Sequence, residues 1–386
     1  MRGARSVRVA VAATLVGALV VAGAASDAFD GGEGRLQAAV DDVHGYGFTG
    51  VQGLADVDGR VTTARAGVAS LATGAPVPVN GYFRMGSDTK TFVSVVLLQL
   101  VGEARLSLDD SVERWLPGVV AGNGNDGRKI TVRELLQHTS GIANYLDRLP
   151  LVATAEDFQA HRFDHYDAAG LVALAMKNPP LFAPGTSWSY SNTNYVLAGM
   201  IINRVTGHSW AQEVYDRILV PLHLNHTYVP GDEPTLRNPH ADGYTQFAPG
   251  GPLVDTTLFN PTSVDAAGAM TTTPTDLARF WEALQGGRLL APAQMAQMHK
   301  TVPEPDLAQV FPGARYGLGI SSIPDSCGGY WAHAGGVPGM TTLNGVRPDG
   351  KRAVVLSMSS ELADQASQVS ALQRARKLID DTLCQR

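Results

Sequence analysis

The chain has 386 residues, of which 44% are apolar and 17% charged, with a formal charge of −6. That length buries a large core in one or two domains, and an acidic balance with scattered Lys and Arg leaves no electrostatic footprint for nucleic acid.

The first 25 residues stand apart. Arg2, Arg5 and Arg8 precede the run VAVAATLVGALVVAGAA, which ends in Ala22, Gly23, Ala24 and Ala25. A basic start, an apolar middle and a small-residue end predict a secretory signal peptide cleaved after Ala24 or Ala25, in preference to an uncleaved anchor. No cysteine follows the run to carry lipid, and no later segment is apolar enough to span a membrane. The expected product is secreted, extracellular and free of a membrane anchor, and its charge becomes −6 − 3 = −9.

From Gly34 to Gly45 the spacing predicts a helix with Leu36, Val40 and Val43 on one face. TGVQGLADVDG and RVTTARAGVAS follow as strands, joined by a hairpin turn at Asp58-Gly59. The middle of the chain reads as mostly helical, with apolar residues three and four apart in ITVRELLQH, YDAAGLVALAM, NTNYVLAGMIINRV and PTDLARFWEALQG. After about residue 315 strands return as RYGLGISSI, GYWAHAGG, MTTLNGV and RAVVLSMSS, and LADQASQVSALQRARKLIDDTL closes the chain as an amphipathic helix. The expected fold is α+β: an antiparallel sheet from both chain ends, about 34–86 and 315–386, flanked by helices, with a helical insertion at about 87–314. All of 34–386 forms one catalytic domain on this reading, with its cleft where the first strands give way to helices.

At that junction stands Ser87-Asp88-Thr89-Lys90. Ser-x-x-Lys at a helix start sets both side chains on one face, one turn apart. A serine hydroxyl needs a neighbouring base to become a nucleophile, and a partly buried lysine of lowered pKa can be that base. A capped helix start with Lys90 in solvent is the plainer reading, but the helix dipole disfavours positive charge in a first turn. Only one of the six lysines has serine three residues before it, yet the motif alone is weak.

Two later stretches support it. In FAPGTSWSYSNTNYVLAGM, Tyr190 and Asn192 are two apart before a helix, so both can face one cleft, one relaying protons and the other holding an amide. Alone, Ser191-Asn192 is an ordinary helix cap. In YWAHAGGVPGM, His333 sits on a strand ending in Gly335 and Gly336, where a backbone N–H can approach substrate closely.

Taken in order, Ser87-Asp88-Thr89-Lys90, Tyr190-Ser191-Asn192 and His333-Ala334-Gly335 resemble the three active-site motifs of the class C β-lactamase and serine DD-peptidase group of penicillin-recognising enzymes. The resemblance runs from about Gly34 to Cys384 and includes LLQHTSGI, AAGAMTTTPTDLARF and GDEPTLRNPHADGY. It is nearest in look to secreted D-alanyl-D-alanine carboxypeptidases, whose SYSNTN and YGLG segments read almost the same. It implies a β-lactamase/transpeptidase-like α/β sandwich without metal or other cofactor, acting as a monomer on a small molecule or peptide. By the same resemblance Ser87 is the acylated nucleophile, and Lys90 and Tyr190 share proton transfer. Asn192, His333, Ala334 and Gly335 bind substrate, and the N–H groups of Ser87 and Gly336 form the oxyanion hole.

Cys327 and Cys384 allow either two free thiols or one disulfide, and the resemblance favours the disulfide, since the carboxypeptidases carry a cysteine pair placed like it. Such a bond closes a loop of 384 − 327 = 57 residues, worth roughly 4 kcal/mol at most.

The departures concern specificity. The carboxypeptidases hold a free substrate carboxylate with threonines in H-T-G-T and an arginine after YGLG. Here His333-Ala334-Gly335-Gly336 and Ile320-Ser321-Ser322 stand in those places. Each missing charge-assisted bond is worth about 1.5–3 kcal/mol, so a class C-type β-lactamase, D-aminopeptidase or esterase competes with carboxypeptidase, and Arg315 or Arg347 is the remaining candidate anchor. Among other classes, Gly207-His208-Ser209-Trp210-Ala211 imitates an α/β-hydrolase elbow but follows a helix. A penicillin-binding sensor would need an appended domain or anchor to receive its signal.

Overall fold

Residues 23–306 and 308–385 are described by a computed structural model, so the expected leader lies almost wholly outside the described residues. Strands β1 (Gly50–Val57) and β2 (Arg60–Gly67) pair antiparallel with Val57 opposite Arg60, which leaves Asp58-Gly59 as a two-residue turn. The rest of their sheet comes from the other end of the sequence: β3 (Val302–Pro303), β4 (Arg315–Tyr316), β5 (Ser321–Ile323), β6 (Tyr330–Ala332), β7 (Gly335–Val337), β8 (Met340–Val346) and β9 (Arg352–Met358). The order is β2-β1-β9-β8-β6-β5-β4-β3, with β7 also on β8, and every pairing is antiparallel. Leu54 lies opposite Val355, and Leu343 opposite Leu356.

Two runs expected as single strands are broken. RYGLGISSI turns sharply, because the Gly317 N–H bonds the Ile320 carbonyl at 2.7 Å and Tyr316 pairs Ser321. GYWAHAGG breaks after Ala332, where the His333 N–H goes to the Asn344 side chain at 3.2 Å instead of a ladder carbonyl.

Five helices frame the sheet: α1 (Gly23–His44), α2 (Thr89–Gly102), α3 (Asn192–Thr206), α4 (Pro274–Gln285) and α5 (Gln365–Leu383). The end helices α1 and α5 cover one face, where Leu36, Val40, Val43, Leu343, Leu356 and Ile379 share an apolar cluster. Helix α4 packs on the other face, and its Phe280 stacks on Phe92 of α2 with ring centroids 3.6 Å apart. Apolar on nearly all sides, α2 belongs inside, and Phe92, Val93, Val96, Leu97 and Leu100 are fully buried. Each such side chain contributes about 1.5–3 kcal/mol by leaving water.

The middle of the chain is helical as expected but also carries strands too short for a periodic signal. Tyr244–Gln246 pairs with Leu253–Asp255 and, in parallel, with Ser360–Glu361. Gly207 ends α3 in the left-handed conformation at φ 81°, and Ser209 caps the next helix by accepting from the Gln212 N–H. Ser209 is therefore a helix cap and no nucleophile elbow. Cys327 and Cys384 form a disulfide with Cα atoms 5.7 Å apart. No helix among the described residues is long and apolar enough to cross a membrane.

Candidate active site

The chain enters α2 through a tight turn over Gly86–Asp88. Gly86 has φ 56°, and a Cβ there would lie 2.7 Å from the Gly336 nitrogen, so only glycine lets β7 come so near. That contact sets the Gly336 amide beside Ser87, which is partly exposed.

Lys90, in the first turn of α2, is wholly buried. Its Nζ lies 3.0 Å from Ser87 Oγ, 2.7 Å from Asn192 Oδ1 and 2.8 Å from the Ala267 carbonyl. Asn192 Oδ1 and the Ala267 carbonyl oxygen can only accept, so a neutral Lys90 spends its two N–H groups on them and turns its lone pair toward Ser87. Burial pushes the Lys90 pKa well below its ordinary value, opposed by the nearby Asp88 carboxylate. Asp88 is buried too, with its carboxyl raised by desolvation and its Oδ1 accepting from Asn344 Nδ2 at 2.5 Å. Neither Asp88, Asn344 nor Ala267 was singled out from the sequence. Asp88 lay inside the motif as a spacer, and the other two are joined to it only across more than 170 residues of chain.

Tyr190 and Asn192 reach the same place. The Tyr190 ring centroid is 4.7 Å from Lys90 Nζ. Burial raises the phenol above its ordinary range, and hydrogen bonding with Ser87 pulls it partly back. Ser191 occupies the N-cap position of α3 without capping it, since its hydroxyl donates to the Ala143 carbonyl at 3.2 Å. The loop 138–145 templates this segment further. Ser140 Oγ donates to Asn194 Oδ1 at 2.7 Å, Thr193 Oγ1 to the Ala143 carbonyl at 2.7 Å, and the Asn192 N–H to Asn144 Oδ1 at 3.3 Å. With its oxygen given to Lys90, Asn192 keeps an amide N–H to offer the cleft.

His333 is turned inward. Its Nε2 faces the Tyr316 hydroxyl at 3.0 Å and its Nδ1 the Ala334 carbonyl at 2.7 Å, which assigns the proton to Nδ1. Burial and the nearby Lys90 lower its pKa to about 3, so it stays neutral. Ala334 is half-buried, Gly335 is buried against the Met85 carbonyl, and Gly336 is exposed to the cleft. Neither candidate carboxylate anchor is unengaged: Arg315 binds Thr301 through its hydroxyl and carbonyl at 2.9 Å, and Arg347 pairs with Asp325 at 2.9 Å beside the disulfide. Near Tyr190 lies a buried acid, Glu304, 3% exposed and raised to about 7 by burial. Beside Gly336 opens a cavity of about 470 Å³ with Leu146, Leu149, Phe247 and Val337 on its walls together with the polar Thr245, Gln246 and Glu361.

Known proteins resemble this chain in sequence and fold. The Beta-lactamase family model matches residues 36–377. Penicillin-binding protein 4* of Bacillus subtilis is 26% identical over 326 residues, 81% of this chain and 68% of that protein. Penicillin-binding protein 4 of Amycolatopsis lactamdurans is 32% identical over 169 residues, of which the match spans 44% of this chain and 42% of that relative. Among solved structures, a D-stereospecific amidohydrolase from Streptomyces sp. is 39% identical with a TM-score of 0.81, covering 88% of this chain and 98% of its own. A D-amino acid amidase from Ochrobactrum anthropi SV3, complexed with L-phenylalanine amide, is 27% identical with a TM-score of 0.78 and covers 92% and 97%. The chain belongs to the Beta-lactamase family, and it is a serine hydrolase of the β-lactamase and penicillin-binding type.

Proposed function

We propose that the protein is a secreted acyl hydrolase that opens amides and esters of D-amino acids through an acyl-enzyme on Ser87. The observation that carries this reading is Lys90, wholly buried, with two acceptors for its N–H groups and Ser87 Oγ at 3.0 Å. Lys90 takes the Ser87 proton as Oγ attacks the carbonyl carbon, and the N–H groups of Ser87 and Gly336 hold the oxyanion. Asn192 Nδ2 orients the acyl amide, and Lys90 with Tyr190 passes the proton to the leaving amine or alkoxide. Water then hydrolyses the ester on Ser87 by the reverse proton path.

Substrate class follows from what surrounds this machinery. Arg315 and Arg347 are engaged elsewhere, and the buried carboxyl of Glu304 near Tyr190 disfavours a second carboxylate. The apolar wall of the cavity beside Gly336, with Leu146, Leu149 and Phe247, suits an apolar side chain on the acyl residue. The Streptomyces and Ochrobactrum neighbours, a D-stereospecific amidohydrolase and a D-amino acid amidase, point the same way. Export is supported by the disulfide, and a monomer remains the expected state, to be read by light scattering.

The test is kcat/KM on D-phenylalanine amide, its L-enantiomer, and a D-Ala-D-Ala peptide with free and with amidated carboxylate. The D-amide should lead, and capping the carboxylate should cost less than about tenfold, because the site leaves few groups unpaired. A preference for the free carboxylate of about 10³-fold or more overturns the reading and restores carboxypeptidase.

A further inference from the structure

His138 belongs to LLQHTSGI, a stretch to which neither the sequence nor the mechanism above gives a role. It is wholly buried, and its backbone is left-handed at φ 60°, a conformation that glycine or asparagine adopts at less cost than histidine. Strain of that kind persists only where the surrounding structure holds it in place, and it points to use of the side chain.

The backbone N–H groups on either side of Tyr190 both end on His138. The Ser189 N–H donates to the His138 carbonyl at 3.1 Å, and the Ser191 N–H donates to His138 Nδ1 at 3.2 Å. Asn194 Nδ2 lies 3.1 Å from the same nitrogen, so Nδ1 accepts and the proton sits on Nε2. The imidazole also packs on the Tyr190 ring, with centroids 4.4 Å apart, inside a cage completed by Trp188, Tyr195 and Tyr316. Burial, with Lys90 and His333 nearby, keeps the ring neutral, as a ring that accepts at Nδ1 must be.

We infer that His138 is a positioning residue for Tyr190: its carbonyl and Nδ1 clamp the peptide on both sides of that tyrosine, and its ring sets the plane of the phenol that meets Ser87. The left-handed turn is what lets one residue present its carbonyl and its ring nitrogen to the same three-residue span, Ser189 to Ser191. Loss of the Nδ1 acceptor frees the Ser191 N–H, tilts Tyr190 and misplaces a proton-transfer group, which costs turnover more than binding.

This inference rests on the proposed role of Tyr190, and the experiment separates the two. His138→Leu removes the acceptor at similar bulk, whereas His138→Asn keeps an acceptor at the δ position and tolerates the left-handed backbone. Each is made in the parent and in a Tyr190→Phe background, with kcat and KM read on an activated D-phenylalanine ester. In the parent, His138→Leu should lower kcat on the order of 10²-fold with KM changed less than about threefold, and His138→Asn should recover most of that loss. In the Tyr190→Phe background, His138→Leu should cost less than about twofold, since the group it positions is already gone. Equal losses in both backgrounds, or an Asn variant as poor as Leu, overturn the positioning role alone. A Tyr190→Phe variant with parental kcat overturns the role of Tyr190 and this inference with it. Should His138→Leu fail to fold, His138→Gln replaces it, with its acceptor one methylene too far, and the same outcomes decide.

Discussion

The two faces of the sheet are built on different terms. Toward α1 and α5 the buried contacts are mainly apolar: Leu36, Val40, Val43, Leu343, Leu356 and Ile379 pack together, and the Asp42–Arg374 ion pair between the two helices lies half-exposed at their edge. Toward the cleft the buried groups include Asp88, Lys90, His138, Asn192, Asn194 and Asn344, tied by individual hydrogen bonds. Strand β8 shows both in successive residues, since Leu343 joins the apolar cluster and Asn344 turns the other way to hold Asp88. One face stabilises by area removed from water. The other accepts desolvated polar groups, each costly unless paired, in return for a lysine that can act as a base.

The largest expected effect comes from breaking the polar side. Lys90→Met should lower kcat/KM by about 10²–10⁴-fold while the melting temperature changes little, because removing a buried ionisable group offsets the loss of a donor to Asn192 Oδ1 and the Ala267 carbonyl. Asp88, whose carboxyl burial already favours in its neutral form, is not left as a bare charge. A loss under about tenfold, or a marked loss of stability, would sink the division between the faces.

The division also explains what could be read from sequence. The hairpin at Asp58-Gly59, the helix face of Leu36, Val40 and Val43, and the closing helix are local patterns of period or turn type, and local patterns survive in one sequence. Ser87, Lys90, Tyr190 and Asn192 were legible because spacing and chemistry coincide in short motifs. Asp88–Asn344, Lys90–Ala267 and His138–Ser191 were not, because each joins residues from 53 to 256 positions apart and leaves no period behind. The break at His333 escaped for the same reason, its ladder bond being displaced by a side chain eleven residues on.

On the apolar side, the disulfide fastens the end of α5 to the β5–β6 connection, 57 residues away in sequence. Replacing both cysteines by serine should lower stability by up to about 4 kcal/mol and leave kcat/KM unchanged wherever the protein is folded. Denaturant titration beside an activity assay checks both halves, and a parallel fall in activity would show that the two faces are coupled.

A smaller effect is expected at Glu304, whose carboxyl burial raises from its ordinary 4.5 to about 7. A carboxyl raised by burial resists ionising, so its folded form is favoured at low pH and penalised as pH climbs from the ordinary carboxylate range through 7. Glu304→Gln removes that penalty and should gain on the parent by up to about 3 kcal/mol between pH 4 and pH 8. Unfolding midpoints across that range give the answer, and a stability difference that does not vary with pH contradicts a desolvated acid there.

The central claim is that Ser87 is acylated with Lys90 as its base. The direct measurement is acid quenching of the enzyme during turnover of an activated D-phenylalanine ester, followed by peptide mapping in a mass spectrometer. The acyl group should be found on Ser87 in the parent, absent from Ser87→Ala and formed about 10²-fold or more slowly in Lys90→Met. An acyl group on Ser209 or any other residue, or labelling of Ser87 at parental rate without Lys90, contradicts the account.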